Sequence, residues 1–296
     1  MRVLVTGANG FIGQSVCHIF SDWGYEIIRV SRSFRESAPL ALSIDLREER
    51  ALEHAVQSTG APDWVIHLAA VIPPTFEGAE AKRAAIENQL IDQNVFKACL
   101  EWRAGIVYAS SASVYGFGRG DVKTESSLLN PCGPYGEAKV ISEERGREWL
   151  KNRDLAFVAL RISAPYGPNH HARTVLNTFV DRAMSGLPLL FHGTGSRQQD
   201  FIHVVDISRA CLMAITHGYS GIYNIASGLP VTMRQLAELV VSVVPGCKSV
   251  VAPSGQEDPQ EGVTAFYDIR KAQFELGWQP QISLESGIRA MVAARI

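Results

Sequence analysis

The sequence predicts an α/β protein, with a doubly wound parallel sheet followed by a smaller C-terminal lobe that would hold a substrate. Three observations point this way. Over the first 160 residues, short apolar runs alternate with amphipathic stretches. A glycine-rich turn joins the first run to the first such stretch. From about residue 162, Pro165, Pro168 and Pro188 break the rhythm. The chain has 296 residues, enough for about two domains. A chain of this length buries about 75% of its unfolded surface, so it needs neither disulfide nor metal to fold. The expected division is 1–161 for the sheet domain and 162–296 mainly for the substrate lobe, with some later segments returning to the sheet.

Taken in order, strands are expected at 3–6, 26–30, 64–68, 106–109 and 156–161. Helices are expected near 12–22, 47–58, 80–102 and 135–153. Gly24 follows the first helical stretch and marks its stop. In the second lobe, helices are expected near 172–185, 206–217 and 283–294, and 221–226 is a strand able to rejoin the main sheet. There is no internal repeat or low-complexity tract.

Composition narrows the class. Apolar residues make up 46% and charged residues 20%, an ordinary globular balance that excludes a disordered or disulfide-scaffold protein. The net charge of −2 gives no basic field for nucleic acid or an anionic membrane. No apolar run approaches 18 residues. The opening strand runs directly into Gly7, which argues against a secretory leader. Cys17, Cys99, Cys132, Cys211 and Cys247 are odd in number and widely spaced, with no CxxC pair. They read as free thiols in a reducing cytoplasm, and no metal site is expected.

The first candidate site is the turn Thr6-Gly7-Ala8-Asn9-Gly10-Phe11-Ile12-Gly13. Glycine permits positive φ, and a missing Cβ lets backbone N–H groups approach a pyrophosphate at the positive end of the following helix. Any glycine triplet makes a tight turn; this one sits at a strand-to-helix junction, the context of a nucleotide loop in a Rossmann-type domain. The end of the second strand selects the cofactor. A carboxylate there would take the ribose 2′-hydroxyl of NAD. This chain instead has Ser31-Arg32-Ser33, with no carboxylate until Glu36. Arg32 suits a 2′-phosphate, with Ser31 or Ser33 beside it, so NADP is expected and NAD is the alternative.

The second candidate site is Tyr135-Gly136-Glu137-Ala138-Lys139, which opens a predicted helix after Pro134. The i, i+4 spacing puts Tyr135 and Lys139 on one face. A free phenol ionises near pH 10. A neighbouring ammonium favours phenolate, which would let Tyr135 exchange a proton with an alcohol or ketone oxygen. The pair alone occurs in many helices. Its context is the run 110–116 at the carboxyl end of a predicted strand, the edge where open α/β sheets bind ligands.

With these residues in place, the chain resembles the extended short-chain dehydrogenase/reductase family, in its nucleotide-sugar epimerase/dehydratase branch. The matching motifs run in order: 6–13, Asp45-Leu46, His67-Leu68-Ala69-Ala70, Asn88, 110–116, 135–139, 161–168, 200–206, Tyr223-Asn224-Ile225 and 276–280. The resemblance implies that Gly7, Asn9, Gly10, Phe11, Ile12 and Gly13 shape the pyrophosphate loop. It implies that Asp45 and Leu46 flank the adenine, and that Leu68, Ala69 and Ala70 pass beside the cofactor. Ser111, Tyr135 and Lys139 would be the catalytic set.

Departures from the family pattern bear on substrate. Sugar dehydratases carry acidic residues directly after the catalytic serine or threonine; here Ala112 and Ser113 stand there, which argues against dehydration. The branch often holds a sugar-nucleotide diphosphate with an asparagine in LRxxNxYGP and an arginine before DFxHVxD. These positions are Ala164 and Gln199, with Arg197 two residues earlier. Ser113, His170, Arg197 and Gln199 are the candidate substrate contacts. The expected activity is an NADP-dependent reduction or oxidation at a secondary alcohol or ketone of a sugar-like substrate, most plausibly a nucleotide-activated 4-keto sugar. Alternatives are a 4-epimerase, a carbonyl reductase of a nonsugar molecule, or a noncatalytic NADP sensor. The family also implies a homodimer through the helices at 80–102 and 135–153; in the first of these, Ala81, Ala85, Leu90, Val95 and Cys99 supply apolar contacts on an imperfect period.

Overall fold

Apolar residues alternate between two faces of every central strand, because each strand is covered on both sides. In the computed structural model, which describes residues 1–34, 40–57, 59–75, 77–118 and 120–296, this pattern forms a seven-stranded parallel sheet. Glu36 lies outside the described residues. The first half of the chain runs β1 (Arg2–Thr6), α1 (Phe11–Asp22), β2 (Glu26–Ser31), β3 (Ala41–Ser43), α2 (Ala51–Val56), β4 (Trp64–His67), α3 (Gly78–Trp102) and β5 (Gly105–Ser111). A 3-10 turn (Ala112–Tyr115) follows, then α4 (Gly133–Lys151), β6 (Phe157–Ile162) and β7 (Ala164–Tyr166). The second half runs α5 (Val175–Met184), β8 (Leu189–Phe191), β9 (Gln198–Gln199), β10 (Phe201–His203), α6 (Val204–His217) and β11 (Gly221–Ile225). It ends with β12 (Val231–Thr232), α7 (Met233–Val243), β13 (Val251–Pro253), α8 (Arg270–Leu276) and α9 (Leu284–Ala293).

The strand order is β11-β6-β5-β4-β1-β2-β3. Propagation reverses at β1, whose neighbours are β2 and β4, so a crevice opens at their carboxyl ends. Val3, Val5, Ile66 and Val107 face a core completed by α1, α6 and α8. Leu4, Val65, Ile106 and Tyr108 face the opposite core, under α2, α3 and α4. Beyond the sheet, α5, α7 and α9 enclose a third core around Phe179, Leu236 and Met291.

Each expected strand forms within a residue or two of its predicted ends, and 221–225 pairs in parallel with β6 at the sheet edge. Helix α2 is shorter than the expected 47–58. The Arg47 amide bonds the Asp45 carboxylate, and Arg50 adopts a left-handed φ of 60° at the helix start, so the chain turns before it coils. Strand β3 and helices α7 and α8 lie outside the elements expected from the sequence. Three residues in β3 carry no period. Helix α7 does carry a local signal, the Thr232–Gln235 capping box.

The apolar face proposed for helix pairing needs correction. Ala81, Ala85, Val95 and Cys99 are buried inside the protomer, and only Leu90 of that set is exposed. The outward apolar residues are Ile86 and Leu90 on α3, one turn apart, and Ile141 on α4. No helix among the described residues is long and apolar enough to cross a membrane.

Candidate active site

The glycine turn is built by close approach. Gly7 adopts φ +69°, and a Cβ there would sit 2.9 Å from the amide nitrogen of Ala69, two residues beyond the end of β4. A Cβ on Gly13 would lie 2.1 Å from the Gly7 carbonyl oxygen, a separation no real side chain tolerates. Gly10 donates to that same carbonyl at 2.8 Å and leads into α1, whose first turn has no side-chain cap. The leading N–H groups of α1 are thus left for an anion. Asn9 reaches across to the Ser33 carbonyl at 2.5 Å, which ties this turn to the segment carrying Arg32.

Gly7, Gly10, Ser31, Arg32, Asp45, Leu46, Leu68, Ala69 and Ala70 line one cleft. Arg32 is exposed and bonds no described side chain. Asp45 is engaged instead: the Arg47 guanidinium hydrogen-bonds its carboxylate at 2.6–3.1 Å and, with the Arg47 amide, holds its pKa down at about 2. Asp45 is therefore a fixed acceptor. Arg47, Val71, Glu87 and Ile91 also line this cleft and were not anticipated. The Asp45–Arg47 pair, two residues apart, was the readable sign of the first.

A second pocket lies over the carboxyl ends of β5 and β6. It contains Ser111, Ser113, Tyr135, Ala164, Arg197 and Gln199, bringing together residues from both halves of the chain. Gly136 explains the juxtaposition of Ser111 with Tyr135. A Cβ there would meet the Ser113 carbonyl at 2.9 Å, so α4 packs directly on the 3-10 turn. Ser111 Oγ accepts from the Ser113 amide at 3.2 Å, which leaves the hydroxyl proton available. Lys139 is buried one helical turn below Tyr135. Its ammonium donates to the Ala109 carbonyl at 2.8 Å and lies 5.8 Å from the Tyr135 ring centroid.

Beneath this pocket, Glu143 and Arg161 form a buried bidentate pair, at 3.0 and 2.7 Å, and Ser110 donates to Glu143 at 2.5 Å. Arg161 also donates to the Tyr115 hydroxyl, which donates to Asn224. This network ties α4 to β5, β6 and β11, and so fixes the floor on which Ser111 and Tyr135 stand.

The second lobe supplies the far wall. Arg197 donates to Asp258 at 3.0 Å and to Gln260 at 3.2 Å. Asp200 is the one carboxylate among the described residues lining the pocket. Burial pushes its pKa up, against hydrogen bonds from the Ser227 and Gly228 amides and the Ser163 hydroxyl. Gln260, Thr264 and Tyr267 also face the pocket and carried no sequence signal. His170 does not reach it. Its ring stacks on Phe11 at 4.2 Å, beside the glycine turn, and burial lowers its pKa.

A family model described as the NAD dependent epimerase/dehydratase family matches residues 3–226. The chain is 27% identical to a putative UDP-glucose 4-epimerase of Methanocaldococcus jannaschii, over 98% of this chain and 97% of that one. It is 26% identical to a dTDP-4-dehydro-6-deoxyglucose reductase of Escherichia coli, over 98% and 96% of the two chains. The crystal structure of a UDP-glucose 4-epimerase from Thermotoga maritima with UDP-glucose matches with a TM-score of 0.87 and 25% identity, over 100% of this chain and 98% of that one.

Proposed function

Since the chain belongs to the NAD-dependent epimerase/dehydratase family, we propose that it is an NADP-dependent reductase of a sugar-like ketone, specifically a nucleotide-activated 4-keto sugar. The observation that carries this reading is the single pocket holding Ser111, Tyr135 and the Arg197 wall, with Asp200 as its one carboxylate among the described residues. Elimination of water needs a free acid and a free base. Ala112 and Ser113 supply neither, and Asp200 is already bonded by two amides and a hydroxyl. Dehydration is therefore disfavoured, and proton transfer by Tyr135 remains.

The uncapped start of α1 fits a dinucleotide pyrophosphate, because the glycines let the turn pack tightly on the Ala69 backbone and on its own carbonyl, which sets the free N–H groups of the helix beside the cleft. Asn9, Phe11 and Ile12 complete that turn. Arg32, with Ser31 and Ser33, would receive a 2′-phosphate, and Asp45 and Leu46 with Leu68, Ala69 and Ala70 would line the adenosine end. When bound, a nicotinamide supplies or accepts a hydride at a substrate carbon. Ser111 hydrogen-bonds the substrate oxygen through its hydroxyl and orients it, keeping its own proton. Tyr135 transfers its proton to that oxygen, and the Lys139 charge supports the phenolate left behind. Arg197 and Gln199 meet the distal part of the substrate, with part of the guanidinium charge already taken by Asp258.

A 4-epimerase is the second reading, favoured by the likeness to the two UDP-glucose 4-epimerases. We place the protein in the cytoplasm on its five unpaired cysteines. We also propose a homodimer through the face carrying Ile86, Leu90 and Ile141, exposed by 69%, 41% and 39%.

The activity test supplies UDP-, GDP-, dTDP- and CDP-linked hexoses and 4-keto sugars with cofactor. The reductase oxidises NADPH in proportion to product; interconversion of C4 epimers with no net cofactor change would replace it with the epimerase. Tyr135→Phe should lower kcat by about 10²–10⁴-fold with cofactor affinity nearly unchanged, and a variant keeping over a tenth of the activity would remove Tyr135 from its role. By calorimetry NADPH should bind more tightly than NADH, and Arg32→Ala should erase about ten- to hundredfold of the difference. Equal affinities in the parent protein would refute the NADP assignment. Ile86→Arg with Leu90→Arg should shift sedimentation from dimer to monomer, whereas a parent protein that sediments as a monomer at all concentrations would exclude the dimer.

A further inference from the structure

Lys139 is 3% exposed, and no carboxylate among the described residues lies within ion-pair distance of it. A buried ammonium with no counter-charge is costly. The Ala109 carbonyl and the Tyr135 ring account for part of its surroundings. Its closest aromatic partner is Tyr108, whose ring face lies 4.5 Å from the ammonium. The hydroxyl of that ring donates at 2.7 Å to Asp92 on α3, a carboxylate only 1% exposed.

Asp92 is itself fully spoken for. His67 Nε2 lies 2.9 Å from its other oxygen. At the opposite side of that imidazole, Nδ1 is 2.7 Å from Thr6 Oγ1. Thr6 Oγ1 already accepts from the Leu68 and Ala69 amides, at 3.1 and 3.2 Å. With those acceptor positions filled, the threonine proton points to Nδ1, so Nε2 carries the hydrogen and donates it to Asp92. One polar chain thus runs from the backbone beside Gly7, through Thr6, His67, Asp92 and Tyr108, to the face of the ring beneath Lys139.

From this geometry we infer that Asp92 is a positioning residue, the buried counter-charge of Lys139, acting across the Tyr108 ring. The inference rests on the reading of Tyr135 and Lys139 as the proton-transfer pair. A cation on the ring face and a carboxylate on the hydroxyl polarise the phenol in the same direction, so each contact strengthens the other. Burial would raise the Asp92 pKa, but the Lys139 charge and the bonds from His67 and Tyr108 outweigh it and hold it at about 2. Burial and Asp92 together push the Tyr108 pKa well above the ordinary phenol value, so Tyr108 stays a fixed donor and does not compete with Tyr135 for the proton.

Two other buried carboxylates lie on the neighbouring elements. Glu143, one turn from Lys139 on α4, is held by Arg161 and Ser110. Glu53 on α2 faces Cys99, two turns along α3 from Asp92. The remaining side of the network, at Phe96, is an aromatic edge packed on His67 and Tyr108.

The test reads the Tyr135 phenol directly, in protein without cofactor or substrate. Tyrosines carrying ¹³C at Cζ are followed by NMR as pH rises, and Tyr135→Phe assigns the signal. Removing a negative charge makes nearby protons easier to lose, so Asp92→Asn should move the Tyr135 titration to lower pH by about half a unit or more. Asp92→Ser provides a second neutral variant, and circular dichroism checks that each is folded. A purely structural role would weaken the fold without moving the titration. An unshifted Tyr135 in a folded neutral variant would overturn the inference, as would failure of both variants to fold, which would assign Asp92 to the core alone. Because no turnover is measured, this result is separate from the Tyr135→Phe activity assay. Retained activity there would defeat the proton-transfer reading, whatever Asp92 does to the titration.

Discussion

The near-contact between β1 and β4 at their carboxyl ends governs the rest of the structure. The two strands arrive so close that Gly7 has no room for a Cβ against Ala69. This packing puts the start of α1 at the mouth of the crevice and leaves its N–H groups facing outward. It also brings the Leu68 and Ala69 amides within reach of the Thr6 hydroxyl. The same few atoms therefore shape the glycine turn and begin the buried polar chain that ends beneath Lys139.

A second constraint acts at the other side of the site. Tyr135 and Ser111 belong to different elements and meet because Gly136 lets α4 rest on the Ser113 carbonyl. Below them, the Glu143–Arg161 pair is shielded from water. A paired charge at such depth adds little net stability compared with apolar packing, but breaking it is costly, which makes it a good lock for orientation. The distal wall is built differently, from loop residues such as Gln260 and Thr264, and from an arginine partly neutralised by Asp258. The floor under Ser111 and Tyr135 is internal, while the far wall sits on surface segments.

Much of this was legible in the sequence because it is written at short range. The glycine spacing, the Tyr135–Lys139 interval and the run around Ser111 each lie within eight residues, and strand periodicity orders them along one sheet edge. What was not legible depends on distant partners. Asp92 reads as one more polar residue on a helix until His67 and Tyr108, 25 and 16 positions away, are brought to it. Gln260 and Tyr267 reach the pocket from a segment with no period. His170 belongs to the second lobe in sequence but stacks on Phe11 at the start of α1. On α3, apolar residues read as a pairing face mostly point inward, because a helix covering a sheet must turn its small residues toward the strands.

The return of β11 to the main sheet affects how the chain is made. Every residue of β6 is buried, and its outer neighbour is β11, supplied only after the second lobe has begun. A chain emerging from the ribosome therefore completes β6 well before its covering strand exists. At about 5–20 residues per second, the wait is on the order of several seconds. During that interval β6 is an open, apolar edge ready to pair with any other strand it meets. Pairing with β11, the last strand of the sheet to be made, removes that edge and closes the sheet on this side.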